Sequence, residues 1–157
     1  MKIKLIAIGK TDEAYLLEGI EKYLKRLKHY IAVDLVVLPD IKLGSKPNPD
    51  KIKEEEGKLI LQKLENSDVL VLLDEGGKSF TSEKFADYLQ KKMNTVAGNL
   101  VFVIGGPFGF SEEIYTRAQE KLSLSAMTFS HQMVRLFFTE QLYRAFTIIK
   151  GEKYHHS

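Results

Sequence analysis

An α/β fold, a mostly parallel sheet with helices on both faces, is predicted by three observations. Apolar runs alternate with stretches of helical period along the whole chain. Residues 69–73 and Leu100–Ile104 show no polar alternation, as strands covered on both faces require. The length, 157 residues, fits one compact domain spanning 1–157 with a substantial core.

The elements follow in order. Ile3–Ile8 reads as a strand, and Thr11 or Asp12 can cap the helix after it. Leu16, Leu17, Ile20, Tyr23, Leu24, Leu27 and Ile31 recur there with helical period. Val33–Leu38 is a second strand, stopped by Pro39. Gly44, Pro47 and Pro49 mark a loop over 39–50. A helix from about residue 50 to 65 carries Ile52, Leu59, Ile60 and Leu64. The strand at 69–73 is expected to end at Asp74-Glu75-Gly76-Gly77. Ser82 starts a helix bearing Phe85, Leu89, Met93 and Val96. Leu100–Ile104 runs into Gly105-Gly106-Pro107-Phe108-Gly109, and Ser111 caps a short helix with Glu112 and Glu113 in its first turn. A short strand at 122–124 and a helix from about residue 132 to 150 complete five strands and five helices. The usual connection rules turn this pattern into an ordinary, unknotted doubly wound sheet.

Composition narrows the function. The chain has no cysteine, which removes disulfides, thiol catalysis and cysteine-bound zinc. No metal-spaced motif, acyl-transfer nucleophile elbow or bilayer-length apolar run is present. Lys4 interrupts the first apolar stretch, unlike a signal peptide, so the expectation is a cytoplasmic protein without membrane or metal. The net charge of +2 is small for a protein that grips bare nucleic acid. An RNA partner would need the basic residues clustered, or a larger particle presenting the target.

In open α/β sheets, ligands bind beyond the carboxyl ends of the strands. The glycine loop at 105–109 reads G-G-x-x-G, so it meets neither the dinucleotide fingerprint nor the phosphate loop. Its bland reading is a tight turn. The segment 122–130 is small, hydroxylated and uncharged, which is odd for a surface turn. It is expected to be buried, and its backbone groups then need partners; an adenine edge offers both donors and acceptors. His131 opens the last helix, where a structural histidine is the ordinary reading and a proton acceptor the functional one. Glu140 and Arg144 have the spacing of an ion pair within a helix. Lys22, Lys25, Arg26 and His29 give the first helix a basic face, and Lys53-Glu54-Glu55-Glu56 reads as a solvated surface. The tail Tyr154-His155-His156-Ser157 is either a frayed end or a group of rings that stack on a base.

Three ordered segments carry a family resemblance: Gly105-Gly106-Pro107-Phe108-Gly109, the run from Leu122 to Gln132, and Glu140-Gln141-Leu142-Tyr143-Arg144-Ala145, closing on Tyr154-His155. With Ile8-Gly9-Lys10 and Leu73-Asp74-Glu75-Gly76-Gly77-Lys78, they resemble the ribosomal RNA large-subunit methyltransferase H family over essentially the whole chain. The resemblance implies a SPOUT-type trefoil knot in the C-terminal half and S-adenosylmethionine (SAM) as cofactor. It carries cofactor contacts onto Leu73, Gly105, Leu124, Ser125, Ala126, Met127, Thr128 and Phe129. It also implies a homodimer with the site near the subunit interface, methylating N3 of a pseudouridine in large-subunit RNA of assembled ribosomes. His131, Arg144, Tyr154 and His155 are the candidates for positioning the base and easing loss of its imide proton. The family usually has proline where this chain has Ser130, which keeps its backbone donor and can cap the last helix. The competing readings are a dinucleotide- or flavin-binding enzyme and a non-catalytic, ribosome-associated SAM-binding factor of the same fold.

Overall fold

The computed structural model describes residues 1–42, 44–46 and 48–155; Pro47, His156 and Ser157, named above, lie outside the described residues. The strands are β1 (Ile3–Ile8), β2 (Val33–Leu38), β3 (Val69–Ser79), β4 (Leu100–Ile104) and β5 (Glu120–Ser123). The helices are α1 (Ala14–Leu27), α2 (Pro49–Gln62), α3 (Ser82–Thr95), α4 (Glu112–Arg117) and α5 (His131–Ile149). The strands form one sheet in the order β2-β1-β4-β3-β5, every neighbouring pair parallel.

Alternation along the strands divides the core in two, because successive side chains leave a strand on opposite faces. Ile3, Leu5, Val71, Leu100 and Phe102 face one side and pack with Phe85 of α3 and Phe138, Leu142 and Phe146 of α5. Ile6, Ile8, Leu70, Leu72, Val101 and Val103 face the other and meet Ile60 of α2 and Ile114 of α4. Both faces of the central strands are therefore covered, as their unbroken apolar sequence required. On the first face α5 lies between α1 and α3, touching both.

Several boundaries differ from the sequence reading. Neither Thr11 nor Asp12 caps α1: its N-cap is Glu13, which makes no side-chain cap bond. The Thr11 hydroxyl instead accepts from Arg135 at 3.2 Å, and the Asp12 amide donates to Gln132 at 2.9 Å. The larger correction is β3, which does not end at Asp74. It pairs with β5 through Leu73, shifts register, and resumes at Lys78 and Ser79. Two contacts make the irregularity possible. The Asp74 carboxylate accepts from the Gly76 amide at 2.8 Å, and Gly77 passes so close to β5 that a Cβ there would lie 2.5 Å from the Leu122 nitrogen. β5 spans Glu120–Ser123, ahead of the expected 122–124. The caps at Ser111 and Ser130 form, accepting from the amides of Ile114 and Met133.

Phe138 is fully buried with its ring centroid 4.7 Å from Phe102 and 6.0 Å from Phe85. Phe138→Ala is expected to lower unfolding free energy by about 3–5 kcal/mol, read by denaturant titration. Ser130→Ala should cost about 1 kcal/mol through its lost cap.

Candidate functional site

A cavity of about 480 Å³ opens beyond the carboxyl ends of β3, β4 and β5. Its floor is Leu73, Ile104 and Leu122, the last apolar residues of those strands or their neighbours. One wall is the glycine loop through Gly105, Gly106, Pro107 and Gly109, with Phe110 behind it. The opposite wall is the segment from Ser123 to Ser130, and His131 and Val134 close the site from the first turn of α5. The volume lies within the range of sites for small ligands and cofactors, roughly 300–1,000 Å³.

The loop leading into α5 is organised by its own hydroxyls. Ser123 Oγ donates to the Ser125 carbonyl at 3.0 Å, and Ser125 Oγ accepts from the Met127 amide at 2.9 Å. Among the described residues, the amides of Ser125, Ala126, Thr128 and Phe129 have no backbone partner. Of these, Ser125, Thr128 and Phe129 line the cavity, where an unpaired amide can donate to a ligand.

The charges lining the cavity are Asp74 and Glu75; no lysine or arginine among the described residues lines it. Asp74 holds a fixed geometry, since its second oxygen accepts from the Tyr115 hydroxyl at 2.5 Å. Burial first, then this carboxylate, pushes the Tyr115 phenol up to about 12, so it stays a donor. A cavity of this character favours a cationic or neutral ligand over a phosphate.

Behind the glycine loop sits Glu56, which the sequence placed on a solvated surface. It is instead 5% exposed and abuts Gly106, where an added Cβ would lie 2.7 Å from its carboxylate. The run of three acids concealed it, because one turn of α2 carries two of them outward and the third inward. Burial, and then Asp40, raise the Glu56 carboxyl to about 7.

Residues 1–155 match the family described as "Predicted SPOUT methyltransferase". The chain belongs to the SPOUT methyltransferase family. Relatives from Flavobacterium johnsoniae and Cytophaga hutchinsonii, both named Ribosomal RNA large subunit methyltransferase H, are 61% and 60% identical over 156 residues. These alignments cover 99% of this chain and 99% and 100% of the two relatives. A solved structure, the SpoU methyltransferase AviRb from Streptomyces viridochromogenes in complex with the cofactor AdoMet, is 16% identical with a TM-score of 0.46, covering 97% of this chain and 59% of that one.

Of the contacts the SPOUT resemblance assigned, Leu73, Gly105, Leu124, Ser125, Met127, Thr128 and Phe129 line the cavity, while Ala126 does not. The expected burial of 122–130 is corrected. Leu122 and Ser123 are buried, but 126–130 are exposed, Met127 by 75%. The apolar composition that implied burial leaves a patch of Met127, Phe129 and Phe137 at the cavity mouth, with the two rings 4.9 Å apart. The strand-end position of Asp74 and Glu75 pointed to the site although the family motifs assigned them no contact, and both line it; Phe110 and Val134, which also line it, carried no sequence signal.

The four base-positioning candidates divide into two places. His131 lines the cavity at the start of α5. Arg144, Tyr154 and His155 cluster near its other end, thirteen positions on, or about 20 Å at 1.5 Å per residue. There Glu140 accepts from Arg144 at 2.6 Å and from the Tyr154 hydroxyl at 2.9 Å, and Arg144 lies 3.1 Å from His155 Nδ1. His155 Nε2 is 2.9 Å from Glu83, a bond that holds the Glu83 carboxyl below its usual range. Burial, then the Tyr23 and Glu140 hydrogen bonds, raise the Tyr154 phenol. Tyr154 and His155 are thus docked on α5 and α3, not frayed. The basic face of α1 feeds this cluster, with Arg26 over the rings of Tyr23 and Tyr143 at 5.9 and 5.5 Å.

The folded chain holds the Glu56 proton more tightly than the unfolded chain, whose carboxyl titrates near the ordinary 4.5. That stabilisation is complete below about 4.5 and is lost as pH rises through about 7. Unfolding free energy should fall by about 1–3 kcal/mol across this window, and Glu56→Gln should flatten the profile.

Proposed function

We propose that this chain is a SAM-dependent methyltransferase of large-subunit ribosomal RNA, acting as one SPOUT-type domain over residues 1–157. The observation that carries the reading is the cavity: two carboxylates, no lysine or arginine among the described residues, and a wall of unpaired backbone donors. SAM is cationic at sulfur and amine and presents an adenine edge, so it fits; a dinucleotide's pyrophosphate does not. Contacts would come from Leu73, Gly105, Leu124, Ser125, Met127, Thr128 and Phe129, with Ala126 as a neighbour in the loop. The strand order, with β5 beside β3 and α5 packed back between α1 and α3, supports the trefoil knot.

The finer reading is N3 of a pseudouridine, reached on assembled ribosomes in the cytoplasm. When bound, SAM supplies an electrophilic methyl group. The chain's residues must align the base with it and relieve N3 of its proton. His131 at the cavity wall is the candidate acceptor, with Tyr154 and His155 positioning the base. Arg144 provides positive charge for the base carbonyls as the proton leaves.

The distance along α5 separates these groups within one subunit, so the proposal includes a homodimer in which the tail of one subunit completes the cavity of the other. The apolar patch at the cavity mouth supports such a contact.

Transfer of labelled methyl from SAM to ribosomes lacking the modification, compared with free large-subunit RNA, tests the substrate. Label on a pseudouridine in ribosomes is expected; SAM binding without transfer to either would leave the non-catalytic reading. Deleting residues 153–157 should abolish transfer and spare SAM affinity. Mixing that deletion with a cavity variant, each inactive alone, should restore activity through the one intact composite site; no restoration would exclude a shared site. His131→Gln at an undiminished single-turnover rate would remove His131 as the proton acceptor.

A further inference from the structure

The chain's net charge is only +2, yet its lysines are not evenly spread. A second groove, about 650 Å³, runs along the sheet edge between α3 and β5. Lys78, Lys84, Lys91, Lys92 and Lys121 line it against two acids, Asp87 and Glu120. Glu120 is engaged by Lys92, and the Lys121 ammonium lies over the Tyr115 ring of α4 at 5.7 Å, on the other face of the sheet, so Lys78, Lys84 and Lys91 face the groove without those partners. None of those three is in an ion pair among the described residues, and each is exposed.

The placement follows from two local features. On α3, Lys84, Tyr88, Lys91 and Thr95 recur at i, i+4, i+7 and i+11, which lays them on one face about 16 Å long. On the sheet, the resumed end of β3 brings Lys78 beside Leu122, the neighbour of Lys121. Without the irregularity at 74–77, Lys78 would not reach this edge. Aromatic rings hold two of the stems, Lys78 over Phe80 at 5.1 Å and Lys92 over Tyr88 at 5.2 Å.

The groove also adjoins the cofactor cavity. Leu122 lines both, and a small pocket containing Phe80, Leu122, Leu124 and Phe129 lies between them. The cavity carries no lysine or arginine among the described residues, so it is poorly suited to a polyanion, whereas the groove is well suited.

We propose that this groove binds the phosphate backbone of the RNA whose target base enters the cavity. The inference rests on the reading of the chain as an RNA methyltransferase and names the surface by which it grips that substrate. A strand along the lysines leaves its base free to turn into the cavity.

The test compares the full chain with the triple variant Lys78→Gln, Lys84→Gln, Lys91→Gln, and with a control, Lys51→Gln, Lys63→Gln, at the two ends of α2. Binding to large-subunit ribosomal RNA is measured across salt concentrations, beside SAM affinity and mass in solution. The triple variant should bind RNA more weakly, with its log-log salt slope shallower by about 2, because each neutralised phosphate adds roughly 0.7–0.9 to that slope. Its KM for RNA should rise while kcat and SAM affinity stay unchanged, and the control should keep the parent slope. An unchanged slope, or an equal weakening in the control, overturns the proposal. A change of oligomeric state confined to the triple variant would assign the groove to an interface between copies and also overturn it. If the parent binds SAM but no RNA, the substrate reading beneath the proposal fails instead.

Discussion

The guanidinium of Arg135 holds the start of α5 against the end of β1, and the cavity exists because of those hydrogen bonds. Arg135 is 1% exposed, and its two terminal nitrogens donate to the carbonyls of Ile8 at 2.7 Å and Gly9 at 2.6 Å. A buried cation with these partners and no direct carboxylate is costly: burial lowers its pKa, and Asp12 and Asp40 offset that from a distance. What it achieves is positional. The loop at 124–130 is fixed at one end by β5 on β3 and at the other by α5 on β1. With both ends anchored, its short backbone has to arch over the strand ends and face the glycine loop.

The site's chemistry follows from the same distribution of charge. The carboxyl ends of β3, β4 and β5 converge on a cavity whose fixed charges are two acids on one strand. Donors come from backbone, not from cations, which suits a ligand that is itself positive. Glu56, buried behind Gly106, presses on the glycine loop from the far side and is held near neutrality by burial. The loop thus rests on a group that changes charge close to physiological pH, although that group does not line the cavity.

Among the described residues the lysines and arginines lie outside the cavity, several of them in the α3–β5 groove and others in the cluster near the end of α5. In the second, Glu140 gathers Arg144 and Tyr154 into one network, so Tyr154 is held in place within the single subunit. Ordering it in advance lowers the entropy lost when it meets a substrate or a second subunit. Membership of the SPOUT family and this division of charge agree: a neutral-to-acidic cavity suits the cofactor, and basic surfaces suit a nucleic acid.

The sequence by itself determined the elements whose cause is local. An unbroken apolar run specifies β4, apolar runs interrupted only by Lys4 and Asp34 specify β1 and β2, hydroxyl caps specify the starts of α4 and α5, and Gly105 to Gly109 specify a loop where a ligand can approach. The family motifs, read in order, named eight cofactor candidates, of which seven line one cavity. What the tertiary structure decided has no local cause. Strand order depends on which faces are already covered; β3 continues past Asp74 because Gly77 lets β5 come close. Glu56 and Arg135 carry the charges of surface residues and are buried because the chain around them supplies, respectively, a proton-favouring enclosure and strand-end carbonyls. Of the groove's lysines, Lys84, Lys91 and Lys92 share one helix, and the resumed pairing of β3 with β5 brings Lys78 to them.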